Sequence, residues 1–202
     1  MNNADLEALA RVLLGRVFIE LEASGRHVHV TAEQARTLFG HGLTPERPLS
    51  QPGQFLAKER VTVMGPKGKF DNVAVLGPER KEAQVEVSLT DARELGITAP
   101  VRPSGNVTGS PGCILVGPRG QVGLHQGVLA AQRHVHMTPE DAKTMGVADK
   151  QVVKLQVYTA RPLIFEDVLV RVSPDFATYA HLDYDEANAC GFRKGDLGRI
   201  LK

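Results

Sequence analysis

Four short segments of this chain share one pattern: a residue able to cap a helix, acidic or amide residues in the next turn, then an alanine and a closing glycine. They run Thr31–Gly40, Thr90–Gly96, Thr138–Gly146 and Asp183–Gly191. Thr31 with Gln34 has capping-box spacing, and Asp183 with Glu186 is a close analogue. Pro139 suits a first helical position, and the glycines suit a left-handed C-terminal turn. Each segment predicts a helix of about two turns directly after a strand. Helices this short argue against a parallel doubly wound sheet. Between them, Gly65-Pro-Lys-Gly68, Gly77-Pro78 and Gly117-Pro-Arg-Gly120 punctuate strands such as Arg60–Met64, Val73–Leu76 and Ile114–Val116, and Val17–Leu21 reads as a further strand. The expected fold is mainly β with short helices: two small β-barrels capped by short α-helices.

The residues just before these helix starts carry the chemistry. Four and two positions upstream stand His27 and His29, then Glu86 and Ser88, then His134 and His136, then Tyr179 and His181. Residues at i and i+2 of a strand share a face. The two histidine pairs belong to a repeated Arg-His-Val-His, at Arg26 and at Arg133. Taken singly, a strand glutamate is usually solvated and a histidine usually just hydrogen-bonded. Six ligand-type residues at equivalent places of one repeated module point instead to a metal centre shared by both halves of the chain. Five histidines and a glutamate exceed the four ligands of a structural zinc and suit two metal ions with positions open to water or substrate. His41, His125, Cys113 and Cys190 fall outside the pattern.

Two further features could serve an anion. Arg80 lies six residues before Glu86, and a guanidinium near metal is a natural partner for phosphate or carboxylate, although an ordinary surface arginine reads the same way. Ser104-Gly105-Asn106 is a loop able to present a hydroxyl and backbone amides.

The bulk properties exclude several classes. A net charge of +1 gives no general attraction to nucleic acid or anionic lipid. No segment approaches the roughly 20 apolar residues of a membrane span. The N-terminus carries Asp5 and Glu7 where a secretory signal would be basic, so a cytoplasmic protein is expected. Residues 4–16 read as an amphipathic helix with Leu6, Leu9 and Leu13 on one face. It would pack on its own domain or on another subunit of a homo-oligomer, or act as a detachable targeting element.

The chain resembles the PduL-type phosphotransacylases, the phosphate propanoyltransferases associated with bacterial microcompartments. The resemblance runs from about residue 17 to the C-terminus. It rests on both Arg-His-Val-His segments, Gln51-Pro-Gly-Gln54, Phe70-Asp-Asn-Val73, Leu76-Gly-Pro-Glu-Arg80, Gln84-Val-Glu-Val-Ser88, Arg102-Pro-Ser-Gly105, Gly109-Ser-Pro-Gly112, His181-Leu-Asp183 and Asp185-Glu-Ala-Asn188. It implies reversible conversion of acyl-CoA (acetyl or propanoyl) and phosphate to acyl phosphate and CoA. It implies one barrel from residues 17–25 and 132–202, a second from residues 26–131, and a dinuclear Zn2+ site between them. The implied metal ligands are His27, His29, Glu86, His134, His136 and His181. Arg80 is implied in phosphate binding, and Ser104 as a serine near the site. Residues 1–16 correspond to the short helix that in this family often serves as an encapsulation peptide, contacting shell or core proteins of a microcompartment.

Two other classes compete. His27-x-His29-x3-Glu33 and His134-x-His136-x3-Glu140 fit the spacing of a bicupin-type metal-dependent oxygenase or metal-binding protein, but the capping signals set both glutamates in a helical first turn, facing away from the histidines. A structural metal scaffold would need closed four-coordinate zinc and no cleft for a nucleotide-bearing substrate.

Overall fold

The computed structural model describes Gly15 and residues 17–202, so the reading of residues 4–16 as an amphipathic helix lies outside the described residues. The elements follow in order as β1 (Ile19–Ser24), β2 (His27–His29), α1 (Ala32–Phe39), β3 (Pro45–Pro48), β4 (Phe55–Met64), β5 (Lys69–Gly77), β6 (Gln84–Glu86) and α2 (Leu89–Leu95). Then come β7 (Val101–Arg102), β8 (Cys113–Val116), β9 (Gln121–Leu124), β10 (Val128–Ala131), β11 (His134–Met137) and α3 (Pro139–Met145). The last are β12 (Val152–Tyr158), β13 (Leu163–Val172), β14 (Tyr179–Asp183), α4 (Tyr184–Cys190) and β15 (Leu197–Leu201). The fold is mainly β with short helices, as the turn and cap signals require. The first strand starts at Ile19 and not at Val17, which lies in a turn and is 43 % exposed.

The caps explain where the helices begin. Thr31 accepts from the Gln34 backbone N–H while the Gln34 side chain accepts from Thr31 N–H, a complete capping box. Thr138 accepts from Asp141 N–H, with Pro139 at the first helical position. The second cap is not Thr90 but Ser88, whose hydroxyl accepts from Asp91 N–H while the Asp91 carboxylate accepts from Ser88 N–H. Threonine and serine are both competent caps, and Ser88 prevails because the acidic residue stands three positions after it. Gly40, Gly96, Gly146 and Gly191 all adopt positive φ, between 64° and 84°, as the helix-ending role demands.

The described chain divides into two compact units. One gathers the residues up to Ala23, Arg133–Leu182 and Glu186–Lys202. It is a closed six-stranded barrel in the order β1-β14-β11-β13-β12-β15. Ile19, Leu21, Val135, Met137, Leu155, Val157, Val170 and Leu182 fill its core. Closure pairs Ile19 with Gly198 and Glu20 with Leu197. A Cβ at Gly198 would stand 2.9 Å from the side chains of both Leu21 and Leu155, so glycine lets the core close at the seam.

The other unit holds Ser24–Gln132 and Asp183–Asp185. It is a nine-stranded, half-barrel sheet in the order β7-β10-β6-β2-β5-β4-β8-β9, with β3 added beside β4. Val28, Leu38, Val61, Val63, Val75, Val85, Leu95 and Leu115 are among its buried core. Leu38 and Leu95 come from α1 and α2, which is how two-turn helices seal the sheet. Of the two expected barrels, one is closed and the other is this open sheet.

Candidate metal centres in the two units

The two His-Val-His segments are embedded in the same way. In the sheet unit β2 lies between β6, antiparallel, and β5, parallel. In the barrel unit β11 lies between β14, antiparallel, and β13, parallel. The central valines, Val28 and Val135, are wholly buried in the two cores. Strand alternation therefore turns both histidines of each segment to the opposite face. Register supplies the third member of each cluster: Glu86 stands directly across from His27, and His181 directly across from His134.

With Ser88 as the true cap, the spacing of the modules changes. His29, Glu86 and His136 each stand two residues before an N-cap, at Thr31, Ser88 and Thr138, and His181 stands three residues before Tyr184, the first residue of α4. His27 and His134 are the additional ligand-type residues of the two His-Val-His strands. Tyr179 is not one of either group; it sits opposite His136, with burial and then Glu20 and Glu22 raising its phenol pKa.

In the sheet unit the donor atoms of His27, His29 and Glu86 lie within 4.8 Å of one another, and all three residues are buried. His27 Nδ1 is 2.8 Å from Gly25 O, and His29 Nδ1 is 3.2 Å from Leu76 O. A carbonyl only accepts, so each ring donates its Nδ1–H there and leaves Nε2 facing the cluster. His27 Nε2 is 3.6 Å from Glu86 Oε2. That is close to the separation of about 3.4 Å between two tetrahedral ligands bonded at about 2.1 Å.

The charges of this cluster act on one another. Burial works to raise the Glu86 pKa, but the charge and hydrogen bond of His27 and the bond from Ser104 outweigh it and hold the carboxyl well below its ordinary range. Burial likewise works to lower His27, and Glu86 outweighs it, so that imidazole is raised. His29 is pushed well below its ordinary value by burial, then by His27 and Arg80. Arg80 is half-buried, its backbone N–H donates to Val30 O at 2.9 Å, and its charge acts on both His27 and His29. Ser104 Oγ donates to Glu86 Oε1 at 2.6 Å.

In the barrel unit the donor atoms of His134, His136 and His181 also lie within 4.8 Å of one another. His136 Nδ1 and His181 Nε2 approach to 3.1 Å. His181 Nδ1 is 3.3 Å from Glu22 Oε2, which fixes the hydrogen on Nδ1 and turns the Nε2 lone pair toward His136. The His134 and His181 rings stack at 4.9 Å, and Phe176 covers His136 at 4.2 Å. Two imidazoles and a carboxylate in the sheet unit, and three imidazoles in the barrel unit, are donor types that divalent metal ions take. Each triad could hold a metal ion.

Glu22 and Gln84 bond to members of the two clusters and have no place in the repeated pattern. A signal existed for both: Glu22 alternates with Ile19 and Leu21 on β1, and Gln84 shares a strand face with Glu86. His41 and His125 are exposed and belong to neither triad. Cys113 and Cys190 are buried free thiols. Glu33 and Glu140 lie exposed in the first turns of α1 and α3, away from any strand, so the bicupin arrangement is not formed. No helix among the described residues is long and apolar enough to cross a membrane.

The sequence profile of the phosphate propanoyltransferase family matches residues 20–193. A phosphate propanoyltransferase of Enterococcus faecalis is 59 % identical over 185 residues, covering 91 % of this chain and 88 % of the relative. One from Listeria monocytogenes is 52 % identical over 199 residues, covering 98 % and 93 %. One from Thermotoga maritima is 53 % identical over 182 residues, covering 89 % and 87 %.

Proposed function

Because the chain belongs to the phosphate propanoyltransferase family and is a phosphate acyltransferase, we propose that it transfers the acyl group of propanoyl-CoA or acetyl-CoA to phosphate using two zinc ions, one held by each triad. His27, His29 and Glu86 would hold one ion, and His134, His136 and His181 the other. The observation that carries this reading is the repeated register, which twice sets a third ligand directly opposite the first histidine of a His-Val-His strand. Three protein ligands per ion is the arrangement of zinc sites that leave a position for substrate. Bound zinc supplies Lewis-acid charge for the thioester carbonyl oxygen and the departing sulfur.

Arg80 is the phosphate-binding residue of this reading. Its support is that its charge acts on both His27 and His29. A planar fork can hold two phosphate oxygens and orient a third toward the thioester carbon, removing much of the entropic barrier. A phosphate oxygen forms the new bond to that carbon, the C–S bond breaks, and CoA leaves as the thiolate, which takes up a proton. Ser104 serves by donating its hydrogen to Glu86, so that the carboxylate stays in place beside His27. Residues 4–16 remain the proposed address for a microcompartment, a use that the resemblance implies and that Leu6, Leu9 and Leu13 fit.

The test is CoA release from acetyl-CoA and propanoyl-CoA, with and without phosphate, before and after chelation. Release that requires both phosphate and metal supports the proposal. Phosphate-dependent release that survives complete metal removal overturns the zinc reading, and phosphate-independent release indicates a thioesterase.

A further inference from the structure

Glu86 is held by more than the metal site needs. Gln84 precedes it by two residues on β6 and is only 1 % exposed. The Gln84 amide makes three bonds. Its Nε2 donates to Glu86 Oε1 and, at 2.9 Å, to Ser104 Oγ, while its Oε1 accepts from Gly105 N–H at 2.7 Å. Ser104 Oγ adds its own hydrogen to the same Glu86 oxygen at 2.6 Å. Glu86 Oε1 thus receives two donors and is turned toward the 104–105 loop. Oε2 is the oxygen that faces His27 Nε2 at 3.6 Å.

We propose that Gln84 is a positioning residue that, together with Ser104, commits Glu86 to offer a metal one oxygen, Oε2, and ties the 104–105 loop to that ligand. The torsion that turns a glutamate carboxylate is broad and roughly two-fold, so an unrestrained Glu86 would swing between one-oxygen and two-oxygen contact. Two donors on Oε1 remove that freedom. They also localise negative charge away from Oε2, which leaves the ion more electrophilic than a two-oxygen contact would. Because Gln84 also holds Gly105, a shift of the loop reaches the carboxylate through one side chain. The proposal rests on reading His27, His29 and Glu86 as a zinc site.

A core amide that merely satisfies buried groups would affect stability and nothing else, so the experiment reads the metal. Zinc affinity of the purified, zinc-loaded enzyme would be measured by competition with a chromogenic chelator, for the parent and for Gln84→Met, Ser104→Ala and the double variant. Gln84→Met is expected to weaken the affected zinc by about 10–100-fold, the usual effect of removing a residue that orients a ligand. Ser104→Ala should act in the same direction. The double variant should lose less than the product of the two, since both residues restrain one oxygen. With cobalt(II) in place of zinc, Gln84→Met should lower the visible absorption intensity as the second carboxylate oxygen joins and the coordination number rises. Zinc affinity within about threefold of the parent in Gln84→Met, with only the melting temperature lowered, overturns the proposal. Should Gln84→Met fail to fold, Ser104→Ala, in a half-exposed position, decides the matter by the same criterion. His27→Ala separates the two readings: unchanged zinc content in that variant removes the metal site itself, whereas lost zinc there beside intact affinity in Gln84→Met removes only the role of Gln84.

Discussion

Arg26 Nη2 and Asp91 Oδ1 meet at 2.7 Å and join the residue before the first His-Val-His to the third position of α2, the helix that follows Glu86. The barrel unit has the same link: Arg133 Nη1 and Glu186 Oε1 meet at 2.6 Å, joining the residue before the second His-Val-His to the third position of α4, which follows His181. Each arginine also lies over a phenylalanine of its own unit, Phe70 at 4.0 Å and Phe165 at 5.6 Å. In each unit, then, an ion pair ties the segment leading into a His-Val-His strand to the helix that follows the third member of its cluster. Asp91 is buried and also completes the Ser88 capping box, so Asp91→Ala should cost about 1–3 kcal/mol by leaving Ser88 N–H and Arg26 without their acceptor. Urea unfolding would measure it. A loss under about 0.5 kcal/mol would place the pair among ordinary surface contacts.

Arg80→Ala should reduce phosphate-dependent turnover by about 10²–10³-fold, the effect of removing one donor from developing charge. Zinc content should stay near that of the parent, because Arg80 is not among the donor atoms of either triad. Steady-state kinetics against phosphate, with metal analysis on the same sample, checks both halves. Loss of zinc in this variant would mean that Arg80 supports the fold of the site and does not bind phosphate.

Metal analysis should give two zinc ions per chain. His27→Ala and His134→Ala should each lose about one, since two neutral or anionic ligands hold a zinc ion far less firmly than three. A variant that loses both ions at once would show that the triads are coupled. Chelation should lower the melting temperature as well as the activity, because an ion that binds the native state alone adds its binding free energy to stability.

The thiols should be spectators. Burial pushes Cys113 up to about 12 and raises Cys190 as well, so both are protonated at any pH the enzyme meets. At pH 8 the Cys113 thiolate is about one part in 10⁴. Cys113→Ala and Cys190→Ala should retain turnover, and iodoacetamide should modify neither residue in the folded protein. A stable acyl adduct on either cysteine, seen by mass spectrometry, would contradict direct transfer to phosphate.

Much of this arrangement was legible because it repeats. Capping residues, closing glycines and His-x-His alternation are local signals, and they mark six ligand-type residues without reference to any contact. The error at Thr90 was also local. Ser88 and Thr90 compete on equal propensity, and only the reciprocal bond between Ser88 and Asp91 settles the start of α2. Gln84 and Glu22 were harder to see because their work is done across strands and loops. Gln84 acts on a loop 20 residues away, and Glu22 on a strand far along the chain. A periodic pattern states which face a side chain occupies and says nothing of what a loop brings to that face. The openness of the nine-stranded sheet was likewise out of reach, since closure depends on register at two edges and not on the composition of any strand.

The seam between Ile19 and Gly198 has a consequence for how the protein is made. Its two edges are about 180 residues apart in sequence, so the stave that closes the barrel leaves the ribosome long after the one it must meet. Until Leu197–Leu201 emerges, β1 and β12 each wait with an unpaired edge. Most of the sheet unit, Ser24–Gln132, is synthesised well before then. A chain that stops after β14 and before residue 197 would therefore leave both seam edges, β1 and β12, without the strand that joins them.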